Sequence, residues 1–191
     1  MKKVKIALLM LLAAVIILPS CKKGENDPFL SLKTRKARIT GEWELKEGTI
    51  TGVNSGTTWT RTFNGTTCTL TSGSFNSTAP YTQKITIVKD GTYKIDINDD
   101  GDLSTEEGDW YFGRKNKDLD VKTKEVVVFH ETQYTSTSGT TTTTTTYTGS
   151  SCPISTITID ELKNKEIIIK YDGSSTGSFT SSYSGTLTYK Q

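Results

Sequence analysis

The densest set of residues able to do chemistry lies between Asp96 and Glu107. Asp96, Asn98, Asp100, Gly101, Asp102, Ser104 and Glu107 fall at the successive positions of the twelve-residue calcium-binding loop, with apolar Leu103 among them. A hard cation needs six or seven oxygens at once, and this spacing supplies them. Asp96, Asn98 and Asp100 would converge from alternate residues, while Gly101 permits the sharp turn. Asp102 would offer its backbone carbonyl, Ser104 its hydroxyl, and Glu107 both carboxylate oxygens. Calcium is thus the one cofactor the chain suggests, as a weakly held ion that stiffens a loop. The competing reading of the same residues is a solvated acidic hairpin loop.

Other reactive residues are few. His130 is the only histidine; it follows Val126-Val127-Val128-Phe129 on a strand pattern, with no ligand partner at metal spacing. No nucleophile elbow, phosphate-binding loop or paired Cys-x-x-Cys motif occurs. The loop carboxylates do not single out a glycosidase pair. The chain does not read as an enzyme.

The strongest signal is at the N-terminus. Lys2, Lys3 and Lys5 precede an uncharged run from Ile6 to Leu18. At about 1.5 Å per residue this run is too short for the ~30 Å bilayer core, so it reads as a secretory signal. Leu18-Pro19-Ser20-Cys21 resembles a bacterial lipobox, which implies diacylglycerol and further acyl chains on Cys21. Such chains would hold the protein to a membrane. Lys22 after the cysteine favours the outer membrane, with a periplasmic or cell-surface face. The Lys22–Asp27 tract is similar to the surface-export tract of lipoproteins of the Bacteroidetes group. The expected division is a signal peptide at 1–20, a tether at 21–27 and one domain at 28–191. With Cys21 lipidated, Cys68 and Cys152 remain as an even pair in an oxidising compartment, and a disulfide between them is expected.

Removing Lys2, Lys3 and Lys5 takes the 23 basic residues to 20 against 21 acids. A near-neutral chain gives no reason to expect a nucleic-acid partner. Abundant Thr, Ser and Gly, with β-branched residues in short runs, indicate an all-β domain. A short helix is expected from Asp27-Pro28 to about Ile39, stopped by Gly41. Beyond it the hydrophobic period switches to two. Strands are expected at 41–51, at 57–71 as one long strand or a hairpin turning at Asn64-Gly65, at 81–88 and 93–97, and again at 110–112, 125–133, 155–159, 166–171 and 179–190. Asp90-Gly91 marks a hairpin turn, residues 96–109 an acidic loop, and the threonine run at 140–146 a solvated hairpin. A meander with one apolar face must close on itself to bury that face. The expected fold is an antiparallel meander barrel of about eight to nine strands with a short N-terminal helix.

Several short motifs then carry a family resemblance. Gly41-Glu42-Trp43 after a short helix resembles the lipocalin G-x-W motif. Asp90-Gly91-Thr92-Tyr93, Gly108-Asp109-Trp110 and the Ile157–Leu162 hairpin are similar to lipocalin-like lipoproteins of the Bacteroidetes. The resemblance covers roughly residues 30–190. It implies structural roles for Gly41 and Trp43 at the closed end of a barrel, with Lys190 as the cation over the indole. It also implies a small, mostly apolar ligand inside. The ligand wall would come from Ile85, Ile87, Tyr93, Ile95 and Ile97 on one side. Trp110, Phe112, Ile167 and Ile169 would face them. The alternative is a structural or interaction lipoprotein whose barrel is filled by its own side chains and which acts through its surface loops.

Overall fold

A computed structural model describes residues 33–113, 125–175 and 181–191. The chain first makes one short helix, α1 (Arg35–Ile39), whose N-cap Thr34 accepts a hydrogen bond from the Ala37 amide at 3.1 Å. Asp27, the expected cap, lies outside the described residues. Strands follow as β1 (Gly41–Asn54), β2 (Thr57–Phe63), β3 (Thr67–Ser72), β4 (Phe75–Ile87), β5 (Thr92–Asp99) and β6 (Asp102–Phe112). The second half supplies β7 (Val126–Ser138), β8 (Thr141–Thr146), β9 (Ile154–Leu162), β10 (Glu166–Ser175) and β11 (Ser181–Lys190). No helix among these residues is long and apolar enough to cross a membrane.

The fold is all-β: an antiparallel barrel closed by ten strands, with β8 as an eleventh. The ring runs β6-β5-β4-β3-β2-β1-β11-β10-β9-β7 and closes through the β6–β7 ladder. The strand count exceeds the expectation for two reasons. Residues 57–71 form a hairpin, because Asn64 Oδ1 takes the Thr66 and Thr67 amides and turns the chain. The threonine run is a strand of its own, β8, whereas the acidic stretch lengthens the strand expected at 110–112 into β6 without adding one.

The ladders divide the barrel into two levels. At the end capped by α1, Gly41–Glu44 pair directly with Lys84–Ile87. The base is therefore an eight-stranded ring that omits β2 and β3. Above it the β2–β3 hairpin wedges between β1 and β4, starting from the Gly48–Phe63 pair. On the far side, β7 pairs with β9 below and with β8 above. β10 pairs with β9 only from Ile167 to Lys170, and no ladder joins β8 to β10 among the described residues. The upper wall is wider than the base and has a seam.

The base is solid. Trp43, Leu45, Ile85, Ile87 and Tyr189 point inward with Phe129 and Leu162 from the opposite wall, all but out of solvent. Each large apolar side chain buried this way contributes about 1.5–3 kcal/mol. α1 closes the end: Ile39 is fully buried, and the Trp43 indole Nε1 donates to its carbonyl at 2.7 Å. The buried Arg38 guanidinium donates to the Leu162 carbonyl at 2.5 Å, linking α1 to β9.

Candidate functional site

Above this plug the barrel opens to solvent. A cavity of about 600 Å³ lies between β1–β4 and β10–β11, within the usual size range of ligand pockets. Strand alternation decides what lines it. A bulge at Lys46–Glu47 keeps β1 in phase, so Gly48, Ile50 and Gly52 continue the inward face begun by Trp43 and Leu45. Their partners across the ladders then point inward too.

Two successive rows make the working surface. In the upper row Trp59 pairs with Gly52, Gly52 with Tyr183, and Tyr183 with Gly173. A Cβ added at Gly52 would run into the Trp59 six-membered ring. One added at Gly173 would meet the Tyr183 ring at 2.5 Å. The two glycines let both rings settle close along the wall, in the space a side chain would fill, and both rings line the cavity. In the row beneath, Arg61 pairs with Ile50, Ile50 with Gly185, and Gly185 with Tyr171. Lower still, Phe63 packs on Tyr81 with ring centres 5.0 Å apart.

Polar groups in this lining are few and ordered. The Tyr189 hydroxyl donates to Gln83 Oε1 at 3.0 Å, and the Tyr81 hydroxyl reaches the same oxygen at 3.5 Å. Burial, with the Asp99 carboxylate second, pushes the Tyr81 phenol up to about 12. Burial raises Tyr171 as well, so both stay neutral near pH 7. Arg61 is the one charged residue lining the cavity. It is exposed to the lumen, and no ion pair engages it among the described residues. Across the barrel, Glu106 and Glu131 also face inward, and burial raises both carboxyls. Glu131 Oε1 is buried with no hydrogen-bond partner.

The expected wall residues sit elsewhere. Ile85, Ile87, Tyr93, Ile95, Trp110, Ile167 and Ile169 fill the base, and Ile97 and Phe112 pack against them. None lines the cavity, because the apolar alternation that made them conspicuous is that of a packed core. Gly41 and Trp43 stand at the end of the barrel that α1 covers, and Lys190 is not a cation over the indole there. It is out of phase with Leu187 and Tyr189, points outward, and pairs with Glu166 at 3.3 Å. The buried cations at that end are Arg35 and Arg38 from α1.

The Cys68–Cys152 disulfide is not formed; both thiols are free. Cys68 is on β3 and Cys152 just precedes β9, and those strands stand opposite each other in the ten-membered ring. The lumen separates them, and a bridge needs Cα atoms within about 7 Å.

The calcium loop is not formed either. Asp99 pairs with Asp102, leaving only Asp100 and Gly101 in the turn, at φ 54° and 95°. That is a two-residue hairpin turn with both centres left-handed. In strands, alternate residues face opposite sides, so Asp96 and Asn98 face out while Asp102 and Ser104 face in. Asp96 accepts from the Thr105 hydroxyl and pairs with Lys94, each at 2.9 Å. Asn98 Oδ1 takes the Gly101 amide at 3.0 Å, and Glu107 lies opposite Lys94. Among the described residues no group of three or more His, Cys, Asp or Glu could hold a metal.

Cys21 lies outside the described residues, as do the signal segment and tether. No protein-family model, no curated protein and no solved structure matches the chain.

Proposed function

We propose that this chain is a non-enzymatic, lipid-anchored binding protein of the outer membrane, lipocalin-like, that holds a small and mostly apolar ligand in the upper barrel. The observation that carries the reading is the open, aromatic-lined cavity above a filled base. Most of its lining is hydrocarbon, with a few fixed polar groups to orient a guest, which is the usual make-up of a ligand site. The lipobox at Cys21 and the G-x-W motif at Gly41–Trp43 supply the membrane and lipocalin-like parts of the proposal. They also make the Bacteroidetes lipoproteins the group to which the chain is most naturally compared.

Native mass spectrometry of the protein purified from its own membranes tests the binding role. The wild type should carry a small-molecule mass that organic solvent removes. Ser72→Trp, which places an indole in the cavity mouth, should carry none. A wild type with no bound mass, or the same mass on both proteins, would overturn the proposal.

A second reading, a structural or interaction lipoprotein acting through its surface, draws on the β7–β8 hairpin. All six threonines of β8 are exposed, and their hydroxyls bridge to β7 at Thr135–Thr144 and Thr137–Thr142. The aromatic lining gives such a protein no task, so the binding role is preferred.

A further inference from the structure

We infer that the ligand is a flat, ring-bearing carboxylate, its ring system laid on the Trp59 and Tyr183 faces and its carboxylate held by Arg61. The inference rests on the binding role proposed above and names the class of guest. The glycines at 52 and 173 make room for the rings: each neighbouring ring occupies the space a Cβ would fill and so lies close along the wall of the cavity. Two aromatic faces in one row offer stacking to a planar body, which gains more from offset contact than a flexible chain does. Arg61 occupies the row immediately below, bordering the same cavity, with no carboxylate partner among the described residues. Its guanidinium presents paired N–H donors that match a carboxylate in a bidentate fork. Of the carboxyls on the inward face, Glu106 and Glu131 stand across the lumen while Asp99 and Asp102 flank the β5–β6 turn, and none forms an ion pair with Arg61 among the described residues.

The test compares 2-naphthoate with the isosteric but neutral 2-naphthamide. Both are titrated calorimetrically into the purified full-length protein in non-ionic detergent, with empty micelles as reference. Naphthoate should bind about tenfold more tightly, the low end for a charge-assisted hydrogen bond at a partly exposed cation. Arg61→Gln should abolish that difference by weakening naphthoate alone, while Arg61→Lys should keep most of it. Unchanged naphthamide binding certifies that the variant cavities are intact. Equal affinity of both probes for the wild type, or a preference that survives Arg61→Gln, overturns the carboxylate inference and leaves the cavity standing. A straight-chain octanoate that binds as well as naphthoate overturns the flat-ring part. Failure of every probe to bind the wild type overturns this inference and the binding role together.

Discussion

Glu106 shows how one side chain couples the lumen to pH. It points inward from β6 beside Tyr134 of β7, partly buried, and burial raises its carboxyl, with repulsion from Glu131 second. Folding therefore favours the protonated form. The stability it contributes is complete below the ordinary carboxylate range and is lost as pH rises through the raised folded value. Glu106→Gln removes that titration. The variant should melt a few degrees above the wild type at pH 7, and the gap should close near pH 4. A gap that stays constant with pH, measured by calorimetric melting at several values, would show that Glu106 acts through packing alone. The sequence hid this residue because it sits in an acidic run that looks like a solvated loop.

Among the elements, α1 does more than its five residues suggest. It seats Ile39 and the Arg38 guanidinium on the base and receives the Trp43 indole N–H. Trp43→Ala should cost about 3–5 kcal/mol, since it removes the largest fully buried side chain and opens a void at the closed end. Thr143→Ala on β8 should stay within about 0.5 kcal/mol, as exposed sites do. Urea unfolding of both variants against the wild type measures the contrast, and similar midpoints would contradict a load-carrying base. These two sites also mark where strands were legible in the sequence. Ile85 with Ile87, Tyr93 with Ile95, and Ile167 with Ile169 alternate against a dry interior, so period two is plain. Along most of β6 and all of β8 both faces of the strand carry polar residues, and the alternation has nothing to write it. The cavity was obscure for a related reason. Trp59, Tyr171 and Tyr183 come from three strands, and only register brings them together. Gly52, Gly173 and Gly185 inside strands were the available signal, since a strand glycine often marks a close approach.

At the scale of the whole molecule, location and fold rest on separate parts of the chain. The barrel is read from residues 33 onward, whereas attachment to a membrane is proposed from Cys21. Labelling cells with a fatty-acid analogue should mark the wild type and not Cys21→Ala; equal labelling would remove the lipid anchor and leave the barrel unaffected. The two levels of that barrel differ in how much change they tolerate. Because β1 and β4 already meet beneath the β2–β3 hairpin, the eight-stranded base is complete without it. The hairpin supplies Trp59, Arg61 and Phe63 to the cavity and only the rim of the core. Substitutions or length changes there should reshape the cavity at less cost to folding than changes in the base, which holds most of the buried core. Foundation and furnishing are thus separable in this barrel, and one hairpin can be rebuilt while the ring beneath it still closes.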